Sequence, residues 1–212
     1  MSQIFDWLFQ QYENTSTLFI TLELIGVFFG FLSVWYSKQD NILVFPTGII
    51  STAIFVYILL VYDLLGDMAI NAYYLVMSVY GWFIWTRKVD DAHFIPITVM
   101  TKKEINQAIY LFIASMIFVV LIYQFSSKWG EWYVYIDVFT TGVFFVGMWL
   151  MAKKKVENWI FWIIGDIISV PLYVFKGLLF TSFQYIIFTL IAYYGYQAWK
   201  KQINVPKTDL LK

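Results

Sequence analysis

Residues 42–62 read ILVFPTGIISTAIFVYILLVY, a stretch without one charged side chain. About 20 consecutive apolar residues cross a hydrocarbon core about 30 Å thick as a single helix. Comparable runs recur on both sides of this one. They predict seven spans, at roughly 18–36, 42–62, 68–86, 105–125, 132–152, 158–175 and 181–199. With 61% hydrophobic, 22% aromatic and 13% charged residues, the chain has too little polar surface to dissolve as a globule. The expected fold class is an all-α integral membrane protein of seven transmembrane helices embedded in a lipid bilayer.

Charge narrows the function classes. A net charge of zero argues against a nucleic-acid partner, which needs clustered positive charge. There is no cysteine, so disulfides and thiolate metal sites are excluded, and no metal or cofactor is expected. The first eighteen residues hold Asp6 and Glu13 but no Lys or Arg, which does not fit a cleavable signal peptide. In the seven-span layout Lys38, Arg87, Lys88, Lys102, Lys103, Lys153, Lys154, Lys155, Lys200, Lys201, Lys207 and Lys212 share one side, against Lys128 and Lys176 on the other. The positive-inside rule then places the N-terminus outside and the C-terminus in the cytoplasm.

The chain also repeats itself. Gly26-Val27-Phe28-Phe29 returns as Gly142-Val143-Phe144-Phe145, Asn41 with Gly48 returns as Asn158 with Gly165, and Tyr80-Gly81…Trp85 returns as Tyr194-Gly195…Trp199. The offsets are 116, 117 and 114 residues. Residues 18–86 are thus one three-helix repeat and 132–199 a second. Residues 87–125 form a cytoplasmic loop and a connecting transmembrane helix, and 200–212 a cytoplasmic tail. One linking span makes the two three-helix bundles parallel, the 3+1+3 arrangement of SWEET-type transporters, in which the substrate site lies between the halves. In the loop 87–104, Asp90, Asp91 and His93 read as a solvated face, and Thr101 with Glu104 as a capping box opening the fourth span. Pro46 and Pro171 each fall in the middle span of a half, which makes those spans the candidate moving parts. Pro171 is expected to kink its helix.

An ionisable group inside a span costs a few kcal/mol on insertion scales, about 3, and so calls for an explanation. Three qualify: Glu23, Asp137 and Asp166. Glu23 and Asp137 enter about five residues from the outer end, close to 8 Å deep, and serve equally well as hydrogen-bonding partners of neighbouring helices. Asn71 and Tyr74 lie one turn apart on one face of the third span, and Gln184 with Tyr185 stands near the equivalent depth of the seventh. Trp35, Trp82, Trp85 and Trp199 sit at inner ends of spans, where indoles commonly anchor at the interface, and Trp159 alone reads the same way. Trp162 is different, one turn before Gly165-Asp166. A flat indole beside a buried carboxylate suits a planar cationic ring, through cation–π attraction of about 1–2 kcal/mol when desolvated.

Trp159-Ile160-Phe161-Trp162, followed by Asp166 and Pro171-Leu172-Tyr173, resembles the WxxW-bearing sixth span of the PnuC vitamin transporters. Asn71-Ala72-Tyr73-Tyr74 with Tyr80-Gly81-Trp82 resembles that family's NxxY segment. The resemblance runs from about 18 to 200. It implies substrate-binding residues at Trp162, Trp159, Asp166, Asn71, Tyr74, Gln184 and Tyr173. It also implies uptake of a vitamin precursor, commonly nicotinamide riboside, by facilitated diffusion across the bacterial inner membrane, in a homotrimer, with a cytoplasmic kinase trapping the substrate. Thiamine, or another B vitamin such as riboflavin, is the alternative substrate. The seventh span departs from the pattern, offering Gln184-Tyr185-Ile186-Ile187 where NxxY would be expected.

Other classes fit less well. There is no HExxH, no G-x-S-x-G and no phosphate loop, and the one histidine, His93, lies in a loop, so an enzyme is not expected. A retinal-type receptor needs a lysine inside its last span, and 181–199 has none.

Overall fold

The structure, a computed structural model, describes residues 16–62, 65–88, 95–125, 132–175 and 179–203, apart from the side chains of 65–67, 125 and 179–181. Asp6, Glu13, Asp90, Asp91 and His93 lie outside the described residues, as do Lys128, Lys176, Lys207 and Lys212, which carry part of the orientation argument.

Among the described residues seven helices follow in chain order: α1 (Thr17–Lys38), α2 (Val44–Val61), α3 (Leu65–Trp85), α4 (Lys102–Phe125), α5 (Trp132–Ala152), α6 (Asn158–Phe175) and α7 (Leu179–Ile203). Five of them, α1, α2, α4, α5 and α6, are long and apolar enough to cross a membrane. The other two are long enough at 21 and 25 residues but more polar, α3 with Asn71 and Ser78, α7 with Gln184 and Lys200-Lys201 at its end. Large apolar side chains point outward along the bundle, Leu24 and Val76 at 65% exposure each. In water such faces would aggregate, whereas in a bilayer they meet lipid. The chain is a multi-pass membrane protein.

Local rules account for the helix ends. Thr101 Oγ1 accepts from Glu104 N–H (3.3 Å) while Glu104 Oε2 accepts from Thr101 N–H (2.9 Å), the reciprocal box that starts α4. Pro46 falls in the first turn of α2, where its missing N–H has no intrahelical partner to lose, so it imposes no kink. The helix α6 continues through Pro171 to Phe175.

The helices close a ring. Contacts run α1–α2–α3–α5–α6–α7 and back to α1, while α4 stands outside, packed mainly on α5. Two joints, α1 on α7 and α3 on α5, close the ring, and they mirror each other. At one, Phe31 of α1 meets Phe188 of α7 at 5.1 Å between ring centroids. At the other, Phe145 of α5 meets Tyr74 of α3 at 6.1 Å, with Tyr73 stacked on Phe145 at 3.9 Å and donating to its carbonyl.

The turns that precede α2 and α6 carry the same hydrogen bonds. Asn41 N–H donates to Tyr36 O and Lys155 N–H to Leu150 O, then Val44 N–H to Asn41 O and Asn158 N–H to Lys155 O. Asp40 and Lys154 both hold positive φ, 54° and 53°, the left-handed residue that commonly ends a helix. All these pairs share the 114-residue separation of Ser37 and Met151. The repeat therefore runs at one offset through this region, and the sequence matches at 116 and 117 are displaced from it. Asn41 corresponds to Lys155 rather than Asn158, and the recurring Gly-Val-Phe-Phe is out of register by two residues. Backbone hydrogen bonding fixes the register, whereas a short apolar word can recur by composition.

Candidate functional site

A cavity of about 250 Å³ opens inside the ring, lined from both halves. Its walls obey the same repeat with opposite chemistry. Where α1 presents Gly30, α5 presents Phe144. Where α2 presents Gly48 and Thr52, α6 presents Trp162 and Asp166. The first half supplies room, hydroxyls and the ring of Tyr74, and the second supplies the other rings and a carboxylate.

The aromatic wall is continuous. Trp162 lies 5.6 Å from Phe144 and 6.4 Å from Tyr74, and Phe144 stacks on Tyr185 at 6.1 Å and 14°. Gly165 lets that wall form, because a Cβ there would stand 2.3 Å from Phe144 Cε1. Asp166 follows on the next position of α6, 2% exposed, and it is the charged residue among the described residues lining the cavity, with no Lys or Arg beside it.

Of the residues singled out from sequence, Trp159, Trp162, Asp166 and Tyr74 meet at the cavity. Asn71, Gln184 and Tyr173 are not on its wall. Tyr173 stands behind it, its ring 5.1 Å from Tyr185 and its hydroxyl hydrogen-bonded there. On α7 the wall is made by Tyr185, Phe188 and Ala192, one position, one turn and two turns from Gln184. Asp137 accepts from Tyr123 OH at 3.1 Å, tying α5 to α4 away from the cavity, and Glu23 does not line it. Ser33, Ser51, Thr52 and Phe144 do line it, and sequence reasoning missed them. The signal was available, since Gly30 and Gly48 fall opposite Phe144 and Trp162 once the 114-residue offset is used.

Three tryptophans read as interfacial anchors face the inside of the bundle instead. Trp159, Trp85 and Trp199 are 2%, 3% and 0% exposed. Trp199 packs edge-on against Trp159 (5.5 Å, 87°) and Trp85 against Phe45 (4.9 Å, 90°), again equivalent positions. Each terminal indole reaches into the other half: Trp85 Nε1 donates to Met151 O (3.3 Å) and Trp199 Nε1 to Ser37 O (3.1 Å). Between them Ser37 Oγ meets Met151 Sδ at 3.2 Å. Ser37 and Met151 are also cavity-lining residues, so this layer closes the cavity at the end that carries the lysines. Trp35 and Trp82, at 46% and 41% exposure, remain outward-facing.

Below that layer the ions lock. Lys154 Nζ sits 2.8 Å from Asp40 Oδ1 and 4.3 Å from the Trp85 ring centroid. Burial raises the Asp40 carboxyl above the usual carboxylate range, and Lys154 opposes the shift. Lys155 reaches Glu104 (3.0 Å) and Thr98 Oγ1 (3.0 Å), and Lys153 reaches the other Glu104 oxygen (2.9 Å). A short bridge, Thr98 N–H to Lys154 O and Val156 N–H to Thr98 O, pins the 95–101 segment to the same turn.

Comparison with known proteins agrees with this architecture. Nicotinamide riboside transporter PnuC of Escherichia coli is 23% identical over 201 residues, covering 84% of each chain. Riboflavin/roseoflavin transporter RibM of Streptomyces davaonensis is 27% identical over 143 residues, 64% of each chain. The crystal structure of the vitamin B3 transporter PnuC shares the fold at a TM-score of 0.64 and 19% identity, covering 95% of this chain and 87% of that one. The nicotinamide mononucleotide transporter family matches residues 20–201. With that match spanning nearly the whole chain and the fold shared, the protein belongs to the nicotinamide mononucleotide transporter family.

Proposed function

We propose that the protein carries nicotinamide riboside across the membrane through this cavity. The observation that carries the reading is the pairing, among the described residues, of an aromatic wall with one buried carboxylate and no lining cation. A pyridinium ring is flat and positive, so it gains from Trp162, Phe144 and Tyr74 by stacking and cation–π attraction, and from Asp166 by charge. The same inventory argues against the mononucleotide named in the family's description, because its phosphate would enter a dry site facing Asp166 with no Lys or Arg to meet it. At about 250 Å³ the cavity lies just below the roughly 300–1,000 Å³ common for ligand sites. It suits one ring with one sugar better than a three-ring flavin.

We further propose that the ring of helices is two parallel three-helix halves, α1–α3 and α5–α7, joined by α4. The 114-residue repetition of turns and cavity positions supports this. So does the Asp40–Lys154 pair, which requires equivalent turns to lie on one side of the membrane. Lysines around those turns favour the cytoplasmic side of a bacterial inner membrane, with the N-terminus outside. The transport mode is facilitated diffusion, supported by a cavity whose one carboxylate leaves no relay for a coupled ion. Trapping falls to a cytoplasmic kinase, and a homotrimer is the proposed assembly.

The test is uptake into proteoliposomes without an ion gradient, comparing nicotinamide riboside, its mononucleotide and thiamine. Nicotinamide riboside should equilibrate, and the mononucleotide should stay out. Trp162→Ala should weaken binding by about 5–30-fold, the value of a desolvated cation–π contact, and Asp166→Asn should weaken the cation further. Thiamine in preference to the riboside, or uptake that needs a proton or sodium gradient, refutes the reading.

A further inference from the structure

The first-half wall has a polarity of its own. Ser33 Oγ donates to Val44 O at 2.8 Å, Ser51 Oγ to Gly26 O at 2.8 Å, and Thr52 Oγ1 to Gly48 O at 2.7 Å. A hydroxyl has one proton and two lone pairs. With the proton committed to a backbone carbonyl, each oxygen can only accept. All three residues line the cavity. Glycines keep the oxygens uncovered: a Cβ on Gly48 would stand 3.0 Å from Ser33 Oγ, and one on Gly30 would stand 3.1 Å from Ser51 Oγ. Across the cavity the equivalents of those glycines are Trp162 and Phe144, rings that offer no lone pair toward a ligand.

We propose that Ser33, Ser51 and Thr52 are specificity-determining residues, an acceptor wall that takes hydrogen bonds from the hydroxyls of the substrate's sugar. Cavity polarity then fixes one orientation. The flat ring lies on Trp162, Phe144 and Tyr74, and the donor-rich end faces α1 and α2. A ligand with a ring but no donors beyond it leaves the wall unfilled. A ligand whose far end offers acceptors meets oxygen against oxygen, and the committed protons cannot turn to receive it without abandoning their carbonyls. In a site shielded from water that mismatch is not relieved by solvent. This inference rests on the transport reading above and adds which residues read the sugar.

Two of the hydroxyls also tie α2 to α1, so the test must separate recognition from packing. Binding of nicotinamide riboside is measured against 1-methylnicotinamide, the same cationic ring without the sugar. The purified proteins compared are wild type, Ser33→Ala, Ser51→Ala and Thr52→Val. Thr52 bonds within its own helix, so Thr52→Val keeps its shape and leaves the α1–α2 ties intact should the serine variants fail to fold. The expected result is a Kd for the riboside raised about 3–10-fold per hydroxyl removed, with the methyl compound unchanged within about twofold and Thr52→Ser restoring the wild-type ratio. Equal shifts for both ligands, or none, overturn the proposal. Failure of wild-type protein to bind the riboside defeats the substrate reading instead. Riboflavin against lumiflavin, its ring with a methyl in place of the polyhydroxyl chain, then decides the acceptor wall by the same ratio, and binding of none of the four overturns both.

Discussion

Replacing Gly195 by alanine tests whether the buried tryptophan layer is as tightly fitted as its distances imply. A Cβ at Gly195 would stand 2.6 Å from Trp159 Cζ2 and 2.7 Å from Cε2 and Cη2, against ordinary contact at 3.4–4 Å. The indole must retreat by the better part of an ångström. Its edge-on partner Trp199, fully buried, closes one direction, and the cavity is the open one. Gly147→Ala is the matched control, because its Cβ would meet Phe161 and Trp162 at 3.3–3.6 Å. Both changes exchange helical glycine for alanine, so the propensity gain of about 1 kcal/mol cancels between them. The difference left is overpacking, about 1–3 kcal/mol. That corresponds to roughly 2–4 °C of melting temperature per kcal/mol for a chain of this length. Thermal unfolding in detergent, followed by intrinsic tryptophan fluorescence, should put Gly195→Ala well below Gly147→Ala. Riboside binding should weaken as well, since Trp159 moves into the cavity. Equal melting temperatures for the two variants would show that the layer yields freely and would refute the reasoning.

Other outcomes follow from the same geometry. Trp199→Phe keeps a ring against Trp159 but gives up the indole hydrogen bond to the carbonyl of Ser37, which still accepts from Asp40 N–H, and should lower stability by about 0.5–1.5 kcal/mol in the same melting assay; Trp85→Phe should match it at Met151 O, which still accepts from Lys154 N–H. Asp40→Ala leaves Lys154, 6% exposed, with a buried uncompensated charge. A loss of about 3 kcal/mol is expected, recovered in large part by adding Lys154→Met. The Asp40 carboxyl is raised by burial despite Lys154, so its protonated form favours the folded state. That contribution is present below the ordinary carboxylate range and lost as pH rises through the raised value. Asp40→Asn should therefore flatten this part of the acid-to-neutral stability profile, measured as melting temperature against pH.

What the sequence disclosed and what it withheld divide along one physical line. The run 42–62 shows a span because depth in a membrane is written in composition, and Thr101 with Glu104 shows a helix start because capping is local. Trp162, Asp166 and Tyr74 could be placed at the cavity because a WxxW turn and an intramembrane carboxylate are rare for stated reasons. Rotation about a helix axis is another matter. Gln184 and Tyr185 are adjacent in sequence and about 100° apart around α7, and it is Tyr185 that lines the cavity. Trp85 and Trp199 have the depth of interfacial anchors, and only their inward azimuth makes them part of the closing layer. Ser33 and Ser51 stayed hidden for a different reason, since a serine in an apolar helix is unremarkable until the partner carbonyl and the cavity are both in view.

The Asp40–Lys154 pair joins two positions that the repeat makes equivalent. Were the two halves proposed above identical copies related by an axis, that axis would bring aspartate to aspartate or lysine to lysine there. Attraction across that axis is open only to halves that have become different in sequence. The ion pair is thus a mark of divergence: a fused, single-gene chain can hold it, and a symmetric pair of identical three-helix proteins cannot.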